Sequence, residues 1–371
     1  MPLYLTEDQV MLRDTARQLM ADEGSIANQL RKYRDMDCKD GFGHALWKQL
    51  AELGFTGILI GEAEGGLGLG HVEAGIVLEE IGRNLTPSPF LITAVAVVEA
   101  LRGTPHGGRW FPGILAGDTV AALAVDEGPK HRPEAIAMRA ERAGNGFRLN
   151  GRKQFVVQGP SADVTVVAAR TDEGVTLFAV EKNVKGLEIE GVRLADSSIG
   201  ARLDFRDVEV DADAVVGEIG GGEAVLGRVL NAGRAGAASE MVGLGSAAMA
   251  MTVDYLRQRK QFGRLIGEFQ ALQHRAAHLY SELEIARSAA IKAQQLLDED
   301  SPEAEAMVSV AKAKAGRAST LAVQEGVQMH GGIGMTDEYD IGLYMKRDRV
   351  LNELFGDANY HADRLARMKG Y

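Results

Sequence analysis

The chain has 371 residues, with 41 Lys and Arg against 52 Asp and Glu, so it carries a formal net charge of -11. This acidic balance argues against a general nucleic-acid binder, and a hydrophobic content of 46% is enough to bury a core, which excludes disorder for most of the chain. The single cysteine, Cys38, excludes an intrachain disulfide framework and a zinc site built on several thiolates, and it favours a reducing, cytoplasmic location. The first ten residues include acidic side chains and no long apolar stretch, so neither a signal peptide nor a membrane span is expected.

Residues 1–117 are predicted to form a helical domain. Thr6 and Gln9 have the spacing of a capping box, which predicts that the first helix begins near Thr6. The glycine-rich run over residues 65–70 predicts a loop, because glycine tolerates backbone angles that other residues avoid.

Residues 118–216 are predicted to form a central antiparallel β-sheet domain. Short β-branched and aromatic runs alternate here with turn residues, which is typical of strands. The pair Asn150-Gly151 predicts a hairpin turn. Strands and helices do not alternate along the chain, so no Rossmann unit is expected and the fold class is α+β.

Residues 217–371 return to helical spacing of apolar side chains, and three long runs plus the C-terminal segment predict a four-helix bundle. The sequence contains no Gly-x-Ser-x-Gly elbow, no Walker phosphate loop and no His-Glu-x-x-His zinc helix. Those classes of enzyme are excluded, and no metal site is predicted.

Three segments of this bundle carry groups suited to chemistry. In the first, Arg259 suits a phosphate, Phe262 offers a flat apolar face and Gln270 offers an amide, although a basic helix end is the alternative. In the second, glycines follow Gln328 and leave the backbone open to a ligand, whereas a helix terminator needs only one glycine. The third, residues 344–357, is a helix-to-loop junction.

The order and spacing of these segments resemble the acyl-CoA dehydrogenase family, flavoenzymes that desaturate acyl thioesters. The resemblance covers nearly the whole chain, including residues 50–54, 64–68 and 153–157. It implies FAD as the cofactor, an acyl-CoA as the substrate, an electron-transfer flavoprotein as the acceptor and a tetramer assembled as a dimer of dimers, without nucleic-acid or membrane partners. In this family the flavin lies between the sheet domain and the bundle, and a neighbouring subunit's bundle holds its pyrophosphate and adenosine.

The resemblance also implies which residues contact FAD. Five residues match the family's motifs: Arg259, Phe262, Gln270, Gln328 and Gly332. Phe155 and Val157 stand where the family usually has Trp and Thr beside the flavin ring, so an indole donor and a hydroxyl are lost. The family's Thr-Glu-Pro segment reads Asp126-Glu127-Gly128 here, and only Glu127 is retained.

The family's catalytic base is missing from both of its usual positions. The reaction needs a carboxylate that removes the α-proton of the thioester while the β-hydride goes to flavin N5. The common position reads Gly356, and the alternative position, immediately before Arg234, reads Gly233. Three hypotheses follow: Asp357 serves as the base, Glu240 serves as the base or pairs with Arg234, or a partner subunit supplies the base.

We prefer the third hypothesis. The end of the bundle and the weakened flavin motifs resemble the small subunits of heteromeric acyl-CoA dehydrogenases that act on dicarboxylyl or steroid side-chain thioesters, most of all the pimeloyl-CoA dehydrogenase small subunit. The resemblance then implies a larger dehydrogenase subunit as partner. The alternatives are a non-catalytic scaffold subunit of the same fold and an acyl-CoA oxidase.

Overall fold

A computed structural model describes residues 3–371 of the chain. Its α-helices are α1 (Glu7–Asp22), α2 (Lys32–Asp35), α3 (His44–Glu52), α4 (His71–Asn84), α5 (Val98–Leu101), α6 (Pro105–Leu115), α7 (Gly222–Gln258), α8 (Gln270–Asp298), α9 (Ala304–His330), α10 (Ile341–Glu353) and α11 (Ala358–Met368). Its strands are β1 (Ala121–Ala124), β2 (Arg139–Ala143), β3 (Gly146–Val157), β4 (Val164–Thr171), β5 (Gly174–Glu181), β6 (Leu187–Arg193), β7 (Ile199–Asp211), β8 (Val215–Val216), β9 (Lys260–Gln261) and β10 (Arg264–Leu265). Among these helices, none is both long and apolar enough to cross a membrane.

The chain divides into two compact units, and the last of the four boundaries between them falls within α7, between Gly233 and Arg234. The first unit comprises Met1–Arg31, His71–Thr86 and Arg234–Tyr371. The second comprises Lys32–Gly70 and Pro87–Gly233. The three-domain division at residues 117 and 216 stays a prediction.

The first unit is helical. Thr6 caps α1 through the expected capping box, because its hydroxyl accepts from the Gln9 N–H at 3.2 Å and the Gln9 side chain accepts from the Thr6 N–H at 3.0 Å. The long helices α8 and α9 pack against each other, and their buried faces carry alanines, which permit close approach. The predicted helical C-terminal region is confirmed, with one addition: its final segment forms two helices, α10 and α11, that both pack on α9.

The second unit contains the sheet, whose strand order is β6-β7-β3-β2-β4-β5-β8, with β1 paired to β4. The α+β class is confirmed, but the sheet is mixed and not purely antiparallel. Both β1 and β2 run parallel to β4, whereas β4 and β5, β3 and β7, and β6 and β7 are antiparallel. Alternating side chains indicate a strand but not the direction of its neighbour, so the sequence did not distinguish the two arrangements.

One local expectation in the sheet is corrected, and one strand was missed. The pair Asn150-Gly151 is not a turn but lies inside β3, where the register with β7 shifts between Leu149 and Gly151. The turn that joins β2 and β3 instead falls just before Gly146, which pairs with Ala143. The long strand β7 was not predicted, although its Leu203 and Phe205 are buried at alternate positions.

Candidate active site and cofactor contacts

The first segment predicted to contact FAD, which contains Arg259 and Phe262, forms a hairpin directly after α7. It does not continue that helix. Helix α7 ends at Gln258, and β9 pairs with β10 across a two-residue turn at Phe262 and Gly263. Both turn residues have positive φ angles, 53° and 79°, as a type I′ turn requires. Phe262 is nonetheless 91% exposed. The tip of the hairpin therefore presents the Phe262 ring to solvent.

An aromatic cluster brings the ends of α7 and α9 together. The His330 ring lies 4.5 Å from the Tyr255 ring and 4.7 Å from the Tyr339 ring, measured between centroids. Arg259 follows Tyr255 by one helical turn, and Gly332 follows His330 by two residues. The structure therefore places the first two predicted cofactor segments at the same end of the first unit.

The residues of this end fit the pyrophosphate and adenosine part of FAD. A Cβ built on Gly331 or Gly332 would meet nothing within 4 Å, so internal packing does not demand these glycines, and the space beside them is open to a ligand. Gly331 also has a φ of +66°. Arg259, Gln270 and Gln328 are exposed, and they carry the guanidinium and amide donors whose hydrogen bonds a pyrophosphate and a nucleoside can accept.

Phe155 and Val157 lie on β3 in the second unit, and both are half-buried. Phe155 has a φ of +53°, and the register between β3 and β7 shifts around it, between Lys153 and Val156. A positive φ at a bulky residue costs about 1–3 kcal/mol and persists only where the surroundings hold it. The bulge therefore presents Phe155 in a conformation that ordinary pairing would not produce.

Gly356 leaves no room for a side chain at the family's common base position. Its φ is +100°, and a Cβ built there would lie 2.3 Å from Cδ1 of the Tyr360 ring. The preceding residue, Phe355, also has a positive φ, +60°. Gly233, at the alternative base position, is buried within α7. The backbone and packing around Gly356 therefore exclude a side chain at this position unless the loop or the Tyr360 ring moves.

Three buried donors hold this loop by its backbone carbonyls. The Phe355 carbonyl accepts from Arg234 Nε at 3.2 Å and from His361 Nε2 at 3.1 Å, and the Gly356 carbonyl accepts from Lys312 Nζ at 2.9 Å. Burial lowers the pKa of Lys312 to about 7 and that of His361 to about 2, so His361 is neutral. None of these three hydrogen bonds was predicted, because the sequence does not show which distant carbonyls a buried arginine, histidine or lysine reaches.

The two carboxylates considered as replacement bases are both engaged. Asp357 is the N-cap of α11, and its Oδ1 accepts from the N–H groups of Asn359 at 3.0 Å and Tyr360 at 2.8 Å. Glu240 is 2% exposed, and its Oε1 accepts from Arg347 at 2.8 and 2.6 Å. Each carboxylate therefore has a structural task, and the assignment of Asp357 as the base stays a prediction.

Helices at the start of the chain, a central mixed sheet and C-terminal helices with exposed cationic and amide groups suit an enzyme that holds a nucleotide cofactor. Comparison with family models gives the family: residues 6–118 match "Acyl-CoA dehydrogenase, N-terminal domain", residues 126–208 match the middle domain and residues 220–369 match the C-terminal domain. The chain belongs to the acyl-CoA dehydrogenase family. It is accordingly an FAD-dependent oxidoreductase that acts on the CH–CH group of an acyl-CoA.

Individual relatives agree with this assignment. The chain is 32% identical to the mitochondrial isovaleryl-CoA dehydrogenase of Solanum tuberosum over 327 residues, which cover 83% of this chain and 78% of the relative. Among solved structures, the ChsE4-ChsE5 complex from Mycobacterium tuberculosis matches with a TM-score of 0.91 and 26% identity over 100% of both chains. A variant of the Tcur3481-Tcur3483 steroid ACAD matches with a TM-score of 0.90 and 28% identity over 98% of both chains.

Proposed function

We propose that this chain is the non-autonomous subunit of a heteromeric acyl-CoA dehydrogenase, and that its partner subunit supplies the catalytic base. The observation that carries the proposal is the geometry of Gly356, where the Tyr360 ring occupies the space of any side chain. Two of the solved structures that resemble the chain are named as pairs of proteins, ChsE4-ChsE5 and Tcur3481-Tcur3483. The name of the second also supports a steroid side-chain thioester as one candidate substrate, beside a fatty acyl-CoA.

The chain's own residues bind and orient the cofactor in this proposal. FAD, when bound, accepts the β-hydride of the thioester. Arg259, Gln270 and Gln328 would hold the pyrophosphate and adenosine end of the FAD of a neighbouring subunit, and Gly332 would let that ligand approach the backbone. Phe155 would supply an apolar face for the ring of this chain's own flavin in place of the family's Trp, and Val157 would lie two residues further along β3, beside the same ring.

The replacement bases within the chain are less well suited than a partner's carboxylate. A general base must reach the proton it removes, and its lone pairs must be available. One carboxylate oxygen of Asp357 accepts hydrogen bonds from two backbone N–H groups, and these bonds also orient its side chain toward α11. Glu240 is buried, and its carboxylate is engaged by Arg347 at 2.6 Å.

The proposed assembly is a tetramer, a dimer of dimers, in the cytoplasm, with an electron-transfer flavoprotein as the acceptor. The exposed and strained Phe262 supports an assembly in which a neighbouring subunit and its cofactor cover the hairpin tip. The single cysteine, which excludes an intrachain disulfide, supports a reducing compartment.

Purification of the tagged chain under native conditions tests this proposal. We expect native mass spectrometry to find a complex with a second, larger acyl-CoA dehydrogenase chain that carries an acid at one of the two base positions. Recombination of the two purified chains should then restore flavin reduction by acyl-CoA. A complex made only of copies of this chain that reduces its flavin would contradict the proposal. A colourless assembly would support the scaffold alternative, and peroxide formed without an added acceptor would support the oxidase.

A further inference from the structure

A buried lysine fastens the segment that replaces the family's Thr-Glu-Pro motif. Lys153 lies on β3 with 0% of its surface exposed. Its Nζ donates to the Val125 carbonyl at 3.0 Å and to Oε1 of Glu127 at 2.7 Å. A buried ammonium without such partners would cost several kcal/mol, on the order of the desolvation penalty of one ion. The lysine therefore ties residues 125–127 to β3.

Glu127 links this lysine to a further piece of backbone. Its Oε2 accepts from the Ala137 N–H at 2.9 Å, and its Oε1 accepts from the Met138 N–H at 3.0 Å. One carboxylate thus joins three segments: the turn that contains it, the residues that lead into β2, and β3 through Lys153. Burial lowers the pKa of Lys153, whereas the Glu127 carboxylate raises it.

Gln154, the next residue of β3, also binds the segment of residues 125–127. Its N–H donates to the Asp126 carbonyl at 2.7 Å, and its Nε2 donates to the Glu127 carbonyl at 3.1 Å. Together with Lys153, it engages the carbonyls of three successive residues, 125, 126 and 127. The segment is therefore fixed by β3 along its whole length.

The hydrogen bonds from Lys153 and Gln154 to residues 125–127 are called the clamp below. Phe155 is the next residue of β3 after the clamp, and its φ is +53°. After Phe155, regular pairing resumes, with Val156 opposite Ala201 and Val157 opposite Gly200. The strained residue thus lies between two fixed stretches, the clamped Lys153-Gln154 and the paired Val156-Val157. Backbone strain survives where both sides of a residue are held in this way.

We propose that Lys153, through its pair with Glu127, is a positioning residue that fixes the 125–127 segment and holds Phe155 in the conformation that receives the flavin ring. This inference rests on the proposed contact between Phe155 and FAD. Lys153 itself is buried and touches protein groups, so its effect on the cofactor is indirect. The clamp also explains why Glu127 is retained while its two neighbours in the motif differ from the family.

Titration of apoprotein with FAD tests the inference, with binding followed by flavin fluorescence and by the visible circular dichroism of the bound flavin. We expect Lys153→Met, which preserves side-chain length, to weaken FAD binding at least tenfold and to change the shape of the visible dichroism bands. Arg152→Met is the matched control, since Arg152 is the neighbouring cation on β3 but its side chain is 58% exposed. This control should leave both readouts unchanged.

A third variant separates this inference from the proposed function. If Phe155→Ala alters the flavin bands and Lys153→Met does not, the positioning role is wrong and the flavin contact stands. If neither variant alters the bands, the flavin contact of Phe155 is wrong and the inference falls with it. Should Lys153→Met fail to fold by far-ultraviolet dichroism, Glu127→Gln replaces it, because the amide keeps the shape and removes the charge of the pair. Unchanged affinity and bands in Glu127→Gln would then overturn the inference.

Discussion

Replacing Gly356 with glutamate would install the family's missing acid at its common position, and we predict that the variant is destabilised and gains no activity. The backbone at Gly356 has a φ of +100°, which costs a residue with a Cβ about 1–3 kcal/mol. The new Cβ would also lie 2.3 Å from Cδ1 and 2.9 Å from Cε1 of Tyr360. Such overpacking costs about 1–3 kcal/mol more.

An opposing effect comes from the cations that surround the loop. Arg234 and Lys312 are each 1% exposed, so a new carboxylate would find positive charge close by. A buried ion pair roughly offsets its own desolvation, however, and does not compensate for steric strain. The two penalties therefore dominate, and the free energy of unfolding should fall by about 2–6 kcal/mol.

Urea unfolding followed by far-ultraviolet circular dichroism measures this loss. Because the clash begins at Cβ, Gly356→Ala should lose nearly as much stability as Gly356→Glu. Gly227→Ala is the control, since a Cβ at Gly227 meets nothing within 4 Å and alanine favours the helix. The cost of Gly356→Glu should also shrink in a Tyr360→Ala background, where the ring is absent. A loss below about 1 kcal/mol, or an equal loss in both backgrounds, would refute the steric reasoning.

Three further predictions concern the first unit. Burial lowers the pKa of Lys312 from 10.5 to about 7, so between these values the unfolded chain binds the proton that the folded chain releases. The wild type should therefore gain up to about 1.4 kcal/mol per pH unit relative to Lys312→Met as the pH rises above about 7, measured by urea unfolding; a difference that shrinks with pH is the opposite result. Arg259→Ala should weaken FAD retention, because a charge-assisted hydrogen bond contributes about 1.5–3 kcal/mol, and undiminished flavin after gel filtration would contradict this. Asp357→Asn should keep the N-cap and most activity of the assembled enzyme, whereas Asp357→Ala should lose about 1 kcal/mol of stability; a large fall in kcat for Asp357→Asn without flavin loss would identify Asp357 as the base.

The sequence predicted the features that local rules decide. The start of α1 followed from the pairing of Thr6 with Gln9, and the helical regions followed from the spacing of apolar residues. The turn predicted at Asn150-Gly151 failed because tertiary pairing with β7 absorbed this pair into a bulge. Strand β7 had a usable signal in its alternating buried residues, such as Leu203 and Phe205.

The site was predictable only in part, since its decisive features depend on contacts that are distant in sequence. The glycines at 233 and 356 led to the prediction that this chain lacks the base, but the Tyr360 ring that blocks residue 356 emerges only in the fold. The buried cations Lys153 and Lys312 look like ordinary surface lysines in the sequence. In the fold, Lys153 donates to the Val125 carbonyl, 28 residues away, and Lys312 donates to the Gly356 carbonyl, 44 residues away. No local sequence pattern reveals partners at such distances.

The most direct test of the central claim is anaerobic addition of an acyl-CoA to the purified chain alone, with its visible flavin absorbance recorded over time. A panel of fatty acyl and steroid side-chain thioesters covers the substrate classes that the relatives suggest. We predict a yellow protein whose flavin band persists with every thioester and bleaches only after a base-carrying partner subunit is added. Rapid and complete bleaching of the chain by itself would show that it carries its own base and would contradict the account.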